Sequence, residues 1–194
     1  MPIEEDANGW ESIAAEFVAA RSSTGCGIAR QWATHLRPGG DVLDLGCGSG
    51  FPIASTLTEQ GCAVFGVDAS PTLVSMFRCR LGNAQAACET VQESAFFGRT
   101  FDGVIAVGLM FLLSEDDQRR LIEKTGKALK PGGRFLFSAP RQRCTWNDVQ
   151  TGQVSLSLGE VEYERLLAGA HMRLTGTYID EGDNHYVEAV SGLA

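Results

Sequence analysis

Short apolar runs alternate with longer segments of helical periodicity between residues 42 and 138, and this alternation constrains the fold more than any other feature. The sequence predicts strands at Val42–Leu45, Ala63–Val67, Ala86–Val91, Gly103–Val107 and Arg134–Ser138. It predicts helices at Phe51–Glu59, Pro71–Leu81 and Glu115–Leu129. Because such units join parallel strands through right-handed crossovers, we expect a mostly parallel sheet with helices on both faces.

The segments on either side complete the same domain. Before this region the sequence predicts helices at Gly9–Ala20 and Thr24–Leu36. After it the sequence predicts a polar loop at Pro140–Leu158, a helix at Glu160–Gly169 and strands at Met172–Ile179 and His185–Val190. The two last strands should form an antiparallel hairpin at one edge of the sheet, which gives seven strands in all. A chain of 194 residues has room for one domain. We expect a helical cap at 1–38, a core at 39–139 and a lid loop, helix and hairpin at 140–194.

The charge of the chain argues against nucleic acid as a partner. The net charge is −8, so phosphate backbones should be repelled unless a local basic patch exists. The densest basic stretch, Arg134 through Arg141 to Arg143, is thin and is typical of a solvated surface. A small-molecule partner is therefore expected. A homodimer is compatible with the sequence, which does not specify the oligomeric state.

Six scattered cysteines indicate neither a disulfide framework nor a metal site, because they form no CxxC pair and lie near no run of histidines. Cys47, Cys62 and Cys88 fall in apolar segments and are expected in the core. Reduced thiols favour a cytoplasmic location. The acidic start of the sequence shows no secretory-signal pattern, and no apolar run reaches membrane-spanning length.

A glycine-rich loop follows the first predicted strand and reads Asp44-Leu45-Gly46-Cys47-Gly48-Ser49-Gly50. Loops at this place can bind ligands outside the carboxyl ends of parallel strands, although a plain strand-to-helix turn would look similar. Two features disfavour a dinucleotide. Phe51 occupies the position where the dinucleotide fingerprint needs a small residue, and the Asp44 carboxylate would repel a pyrophosphate. The loop suits a ligand that carries positive charge.

A second acidic residue, Asp68, ends the neighbouring predicted strand in the run Val64-Phe65-Gly66-Val67-Asp68. A carboxylate at this place can accept hydrogen bonds from both hydroxyls of a ribose. The alternative is a solvated turn aspartate ahead of Ser70-Pro71.

These two motifs, LDLGCGSG at 43–50 and VFGVDAS at 64–70, resemble those of class I S-adenosylmethionine-dependent methyltransferases. RTFDGVIAVG at 99–108 and LKPGGRFLF at 129–137 support the resemblance, which runs from Trp10 to Val190. It implies a Rossmann-like three-layer αβα sandwich whose mostly parallel seven-stranded sheet carries a C-terminal antiparallel hairpin. It also implies methyl transfer from S-adenosylmethionine, a ligand with an ammonium, a sulfonium and no phosphate.

The resemblance assigns roles to individual residues. It implies that Gly46, Gly48 and Gly50 face the methionine part of S-adenosylmethionine and that Asp44 accepts from its amino group, directly or through water. Asp68 would bind the ribose. The remaining positions implied to contact the cofactor, at the adenine and beside the sulfonium, are Glu93, Ser94 and Val107.

The methyl acceptor is expected to be a small molecule with a nucleophilic O, N, S or C atom. The Asn/Asp-Pro-Pro-Tyr/Phe and Pro-Cys signatures of enzymes that methylate amides or cytosine are missing from the sequence. Trp146 and Asp148 in the polar loop, and His185 at the terminal hairpin, are candidate acceptor-site or catalytic residues. Each has an ordinary surface or edge-strand role as its alternative.

Two other functions stay open from the sequence. A non-catalytic module that binds S-adenosylmethionine or S-adenosylhomocysteine would use the same cofactor residues. An NAD(P)-dependent oxidoreductase is disfavoured by Phe51 and Asp44.

Overall fold

The computed structural model describes residues 9–192. Within that range the helices are α1 Ala14–Ala20, α2 Cys26–Ala33, α3 Ile53–Glu59, α4 Pro71–Arg80, α5 Glu115–Ala128 and α6 Glu160–Gly169. The strands are β1 Asp41–Leu45, β2 Ala63–Asp68, β3 Gln85–Cys88, β4 Phe101–Ala106, β5 Leu129–Ser138, β6 Cys144–Asn147, β7 Val154–Ser157, β8 Met172–Ile179 and β9 His185–Ser191. Two short 3-10 turns lie at Phe96–Gly98 and Met110–Leu112. Residues 1–8, on which the expectation about a secretory signal rests, lie outside the described residues.

The main sheet has the strand order β3-β2-β1-β4-β5-β9-β8 over residues 9–192. The first five strands are parallel, and β9 runs antiparallel to both β5 and β8. The chain order therefore reverses between β1 and β4. This is the switch point at which open α/β sheets form ligand crevices. The expected fold class, a mostly parallel seven-stranded sheet with a terminal antiparallel hairpin, is confirmed.

Helices cover both faces of the sheet because the strands are apolar on both sides. Along β1, Val42 packs with α2, α3 and α4, whereas Leu43 packs on the opposite face with α5 and α6. Trp32 of α2 and Tyr163 of α6 are among the largest fully buried side chains of these two layers. Two predicted helix starts are confirmed: the Ser70 hydroxyl accepts from Leu73 N, and the Ser114 hydroxyl accepts from Asp117 N.

The expected polar loop after Pro140 was a wrong prediction, because it contains the antiparallel hairpin β6–β7. Trp146 in β6 and Leu156 in β7 are partly buried, and exposure alternates from residue to residue along β6. These strands have four residues each, too short for a clear periodic signal in a polar sequence. The hairpin places Trp146 on a strand and Asp148 at the start of its turn.

Three smaller predictions also differ from the structure. Helix α1 begins at Ala14 and not at Gly9, where the backbone has a φ of +81°. Strand β3 ends at Cys88 and not at Val91. Cys88 is exposed and not in the core, since β3 forms the edge of the sheet and is only half covered. No helix among residues 9–192 is both long and apolar enough to cross a bilayer.

Gly103 lies on the face of the sheet that packs against Trp32, and a side chain there should disturb this packing. A Cβ atom at Gly103 would lie 2.6 Å from Trp32 Cη2, so Gly103→Ala should destabilise the fold by about 1–3 kcal/mol through overpacking. Gly27→Ala is the control: it lies in α2 with nothing within 4 Å and should be neutral or stabilising by about 0.5–1 kcal/mol. Urea unfolding measures both, and wild-type stability for Gly103→Ala would contradict this packing.

Candidate functional site

A cavity of about 570 Å³ lies at the carboxyl ends of β1, β2 and β4, above the switch point. Its walls come from the glycine loop after β1, the segments after β2, β3 and β4, the amino-terminal segment and the β6–β7 hairpin. This size and position are typical of small-molecule sites in α/β folds.

The glycine loop is fastened to the end of β2. Gly46 N and Cys47 N both donate to Val67 O, at 2.8 and 3.1 Å, and Gly48 N donates to Asp68 Oδ2 at 2.8 Å. Gly46 and Gly48 have φ values of +69° and +53°, which favour glycine. Gly46, Cys47 and Gly48 line the cavity, so a ligand there would lie against bare backbone.

Gly50 has a different setting from the other two glycines. It does not line the cavity, and a Cβ atom there would lie 3.0 Å from Phe77 Cδ2. Its φ of +81° and this close approach let α4 pack against the end of the loop. The position needs glycine for packing.

Asp68 lines the cavity and links two of its walls. Its Oδ2 accepts from Gly48 N, and its Oδ1 accepts from Ser70 N at 2.9 Å. Burial raises the pKa of Asp68 although these two hydrogen bonds oppose the shift. A carboxylate has about four acceptor sites, so lone pairs remain for a ligand.

Asp44 lies beneath the glycine loop with only 2% of its surface exposed. Its Oδ2 has no hydrogen bond to the described residues. Burial, and then the charge of Asp68, raise the pKa of Asp44 to about 8, while Arg21 opposes the shift. Asp44 is not part of the cavity wall, whereas Gly46, two residues further along the chain, is.

Arg21, which the sequence did not single out, lines the cavity and is close enough to Asp44 for their charges to interact. Burial lowers its pKa, and the negative charges of neighbouring groups, among them Asp44, oppose this. Its guanidinium carbon is 5.2 Å from the centre of the Phe17 ring, and its buried Nε has no acceptor among the described residues. A lone arginine after an amphipathic helix gives no sequence signal, because its partners come from distant strands.

The segment after β3 places different residues in the cavity from those expected. Thr90, Val91 and Gln92 line the wall, and Glu93 and Ser94 do not. Glu93 is exposed, and the buried Ser94 hydroxyl accepts from Phe96 N at 3.0 Å. Since β3 ends early, the chain turns into the cavity before the expected positions.

Val107 lines the cavity after β4, as do Gly108 and Leu109. Gly108 N donates to the Ser138 hydroxyl at 2.8 Å, which ties this segment to the end of β5. Phe111 also reaches the cavity, whereas the neighbouring Met110 is fully buried in the core.

Trp146 and Asp148 line the cavity from the β6–β7 hairpin. The ring centroids of Trp146 and Phe111 are 5.5 Å apart. Asp148 Oδ1 accepts from Gln150 N and Thr151 N, so this oxygen also shapes the hairpin turn.

His185 lies elsewhere. It begins β9 and contributes to a separate pocket of about 190 Å³ beside Pro140 and Tyr178. The structure therefore does not bring it together with the glycine loop, Trp146 or Asp148.

The amino-terminal segment closes one side of the cavity. Trp10 and Phe17 line it, with ring centroids 4.9 Å apart in an edge-to-face arrangement. The Glu11 carboxylate accepts from the Ser70 hydroxyl and, at 2.7 Å, from the Thr72 hydroxyl. This contact fastens the segment to the start of α4, next to Asp68.

The buried Asp44 predicts a stability effect with a defined sign. Its pKa is raised from the model-peptide value of 3.8 to about 8, so the unfolded chain loses its proton well before the folded one. Between these pH values stability should fall as pH rises. At 1.36 kcal/mol per unit, the cost at pH 7 is on the order of 4 kcal/mol. Asp44→Asn should therefore raise the melting temperature at pH 7, with little effect near pH 4.

Asp102 provides a control of opposite sign. Burial would raise its pKa, but hydrogen bonds from Arg37 and Lys130 lower it to about 2. Asp102→Asn should therefore destabilise the protein at pH 7, and the loss should fade as pH falls from 4 towards 2. Melting curves across this pH range test both variants. If Asp44→Asn does not stabilise the protein at pH 7, the raised pKa assigned to Asp44 is contradicted.

Comparisons with known proteins identify a methyltransferase domain in the chain. A family profile described as "Methyltransferase domain" matches residues 42–133. A cypemycin N-terminal methyltransferase of a Streptomyces species is 35% identical over 123 residues, which cover 61% of this chain and 49% of that protein. The chain spans about half the length of the curated relatives that it matches.

Solved structures share the fold at low sequence identity. The 1,6-didemethyltoxoflavin-N1-methyltransferase of Burkholderia thailandensis has a TM-score of 0.75 and 21% identity, with 99% of this chain and 91% of that chain covered. The CcbJ methyltransferase of Streptomyces caelestis also has a TM-score of 0.75, at 16% identity and full coverage of both chains. Residues 42–133 thus match a methyltransferase domain, and the whole chain shares the fold of these solved methyltransferases.

Proposed function

We propose that the protein binds S-adenosylmethionine in the cavity above the β1–β4 switch point and transfers its methyl group to a small molecule. The observation that carries this proposal is the unpartnered Asp44 carboxyl beneath the glycine loop. A buried acid without a hydrogen-bond partner is costly and is retained where a ligand satisfies it. A cationic ligand would do so by pairing with the ionised carboxylate, whereas a pyrophosphate would be repelled by that ionised form.

The residues of the cavity fit S-adenosylmethionine. The amides and bare backbone of Gly46–Gly48 would receive the methionine part, with Asp44 as the counter-charge of its ammonium. The buried Nε of Arg21 would donate to its carboxylate. Asp68 would accept from the ribose hydroxyls, and Thr90–Gln92 would form the adenine wall in place of Glu93 and Ser94.

Bound S-adenosylmethionine supplies an activated methyl group on its sulfonium. The residues of this chain then need only hold and orient the acceptor in line with that group and exclude water. Val107 and Leu109 would line the approach to the methyl group. Trp10 and Phe17 on one side and Trp146 on the other would cover the cavity.

The closing elements meet at the rim of the cavity. A Cβ atom at Gly9 would lie 3.8 Å from Thr151 Cβ, so the amino-terminal segment reaches the turn of the β6–β7 hairpin. We propose that the amino-terminal cap and this hairpin act as lids over a single catalytic domain. Trp146 and Asp148 stay candidates for acceptor binding, whereas His185 lines a separate pocket and is given no role in this cavity.

A small-molecule acceptor is supported by the partly enclosed cavity and by the acidic net charge. The Burkholderia thailandensis structure was solved with 1,6-didemethyltoxoflavin and S-adenosylhomocysteine bound, which shows that this fold accommodates such a pair.

Ligand choice tests the proposed function. S-adenosylmethionine and S-adenosylhomocysteine should raise the melting temperature, since a ligand at about 100 times its Kd adds about 2.7 kcal/mol. NAD and NADP should not, because of Asp44 and Phe51. A shift with NADP and none with either sulfur nucleoside would refute the proposal. Methyl transfer from labelled cofactor to a metabolite extract then separates an enzyme from a non-catalytic binding module.

The ribose contact gives a second test. Asp68→Asn should weaken S-adenosylhomocysteine binding at least tenfold, since hydrogen bonds to a charged group contribute about 1.5–3 kcal/mol each. Asparagine can accept from only one of the two amides, Gly48 N and Ser70 N, so the melting temperature of the variant is measured as well to check that the fold persists. Asp183→Asn in the exposed β8–β9 turn is the matched control and should bind like wild type. Calorimetric titration measures the three proteins, and unchanged affinity in Asp68→Asn would remove Asp68 from the ribose site.

A further inference from the structure

We propose that the part of the cavity next to β4 and β5 recognises the methyl acceptor as an amine on a flat apolar body. This inference rests on the proposed function, since it concerns the acceptor side of the same cavity. An aromatic wall and two carboxylates line this part of the cavity. No cation is among the described residues that line it there.

The topology separates the acceptor side from the cofactor side. Asp68 and Thr90–Gln92 follow β2 and β3, on one side of the switch point. Phe111, Asp117 and Trp146 follow β4 and β5, on the other side. A cofactor lying over β1–β3 therefore leaves the second group facing whatever binds beside it.

Phe111 and Trp146 form the aromatic wall. Their ring centroids are 5.5 Å apart at an interplanar angle of 48°, and both side chains line the cavity while half-buried. Such rings provide flat apolar contact and also attract cations to their faces.

The carboxylates are those of Asp117 on α5 and Asp148 on the hairpin, and both line the cavity. Asp117 Oδ2 accepts from the Ser114 hydroxyl at 2.7 Å as part of the helix cap. Asp148 uses Oδ1 for the hairpin turn, and its Oδ2 has no hydrogen bond to residues 9–192. The local hydrogen bonds fix the position of both groups without neutralising their charge.

Three contacts hold the two carboxylates on the same side of the cavity. The Arg143 guanidinium at the start of the hairpin pairs with Glu115, two residues before Asp117. Gln118 Nε2, one residue after Asp117, donates to Leu156 O of β7 at 3.1 Å. The third contact is that of the Phe111 and Trp146 rings.

Nearby cations do not cancel these charges. Arg143 and Arg119 are paired with Glu115 and Glu162. Arg120 is 3.5 Å from Asp117, but its side chain is 76% exposed, so that pair is weak. Arg21 is the one cation among the described lining residues, and it lies beside Asp44 on the cofactor side.

The charge distribution favours nitrogen as the nucleophile. An amine that binds as an ammonium first gives a proton to water, and the neutral nitrogen then forms its N–C bond with its lone pair while the S–C bond breaks and leaves its electron pair on sulfur. Positive charge thus moves from sulfur to nitrogen, and the product ammonium later loses its proton to water. Carboxylates near the nitrogen stabilise this developing charge. The same carboxylates repel a phenolate, thiolate or carboxylate nucleophile.

The test compares three probes of one shape that differ in charge: phenethylamine, phenethyl alcohol and phenylacetate. Each is titrated by ligand-observed NMR against the complex of the protein with S-adenosylhomocysteine. We expect phenethylamine to bind at least tenfold tighter than the alcohol, and phenylacetate to bind weakest. The double variant Asp117→Asn with Asp148→Asn should bring the amine and the alcohol to within threefold, because asparagine preserves the cap and the turn but not the charge.

Asp116→Asn is the matched control, since Asp116 precedes Asp117 on α5 but is exposed and does not line the cavity. It should keep the wild-type preference. Trp146→Leu should weaken all three probes by a similar factor. Equal binding of the probes, binding of none, or an unchanged preference in the double variant would overturn the amine proposal. Absence of S-adenosylhomocysteine binding to the wild type would instead refute the proposed function.

Discussion

Three backbone amides fasten the loop after β1 to the end of β2, and the geometry of the cavity depends on this attachment. Gly46 N and Cys47 N donate to Val67 O, and Gly48 N donates to the Asp68 carboxylate. The loop has positive φ at Gly46 and Gly48, so at these two lining positions no side chain covers the backbone. Because Asp68 also accepts from Ser70 N, the same contact fixes the start of α4. One carboxylate thereby sets the relative positions of two walls.

The same arrangement leaves Asp44 in an unfavourable state. It lies under the fastened loop, close enough to Asp68 for that charge to contribute to its raised pKa, and its Oδ2 has no partner among the described residues. The positive charge of Arg21 offsets the raised pKa of Asp44 only in part. The buried Nε of Arg21 itself has no acceptor among the described residues. These two buried groups lower the stability of the fold, and a ligand that carries both an ammonium and a carboxylate could pair with them. Functional sites commonly carry such local costs.

Most of the sheet could be predicted from the sequence, because buried parallel strands give continuous apolar runs and the helices between them are amphipathic. The glycine loop could be placed because it follows β1 directly, and Asp68 because it ends β2. The β6–β7 hairpin could not, since its short strands are half polar. The residues that line the cavity after β3 differ from those expected because β3 is a short edge strand whose end is poorly specified. Arg21 and Asp117 gain their significance only from tertiary contacts, which no local pattern encodes.

The central claim is that the buried Asp44 carboxyl is the counter-charge of a cationic ligand in the glycine-loop cavity. Proton release on binding tests it most directly, measured by calorimetry at pH 7 in two buffers of different ionisation enthalpy. With a pKa of about 8, Asp44 carries a proton in the free protein, which a bound cation should displace. Binding of S-adenosylmethionine should release about one proton in the wild type and none in Asp44→Asn. No binding, or binding with the same proton balance in both proteins, would contradict the claim.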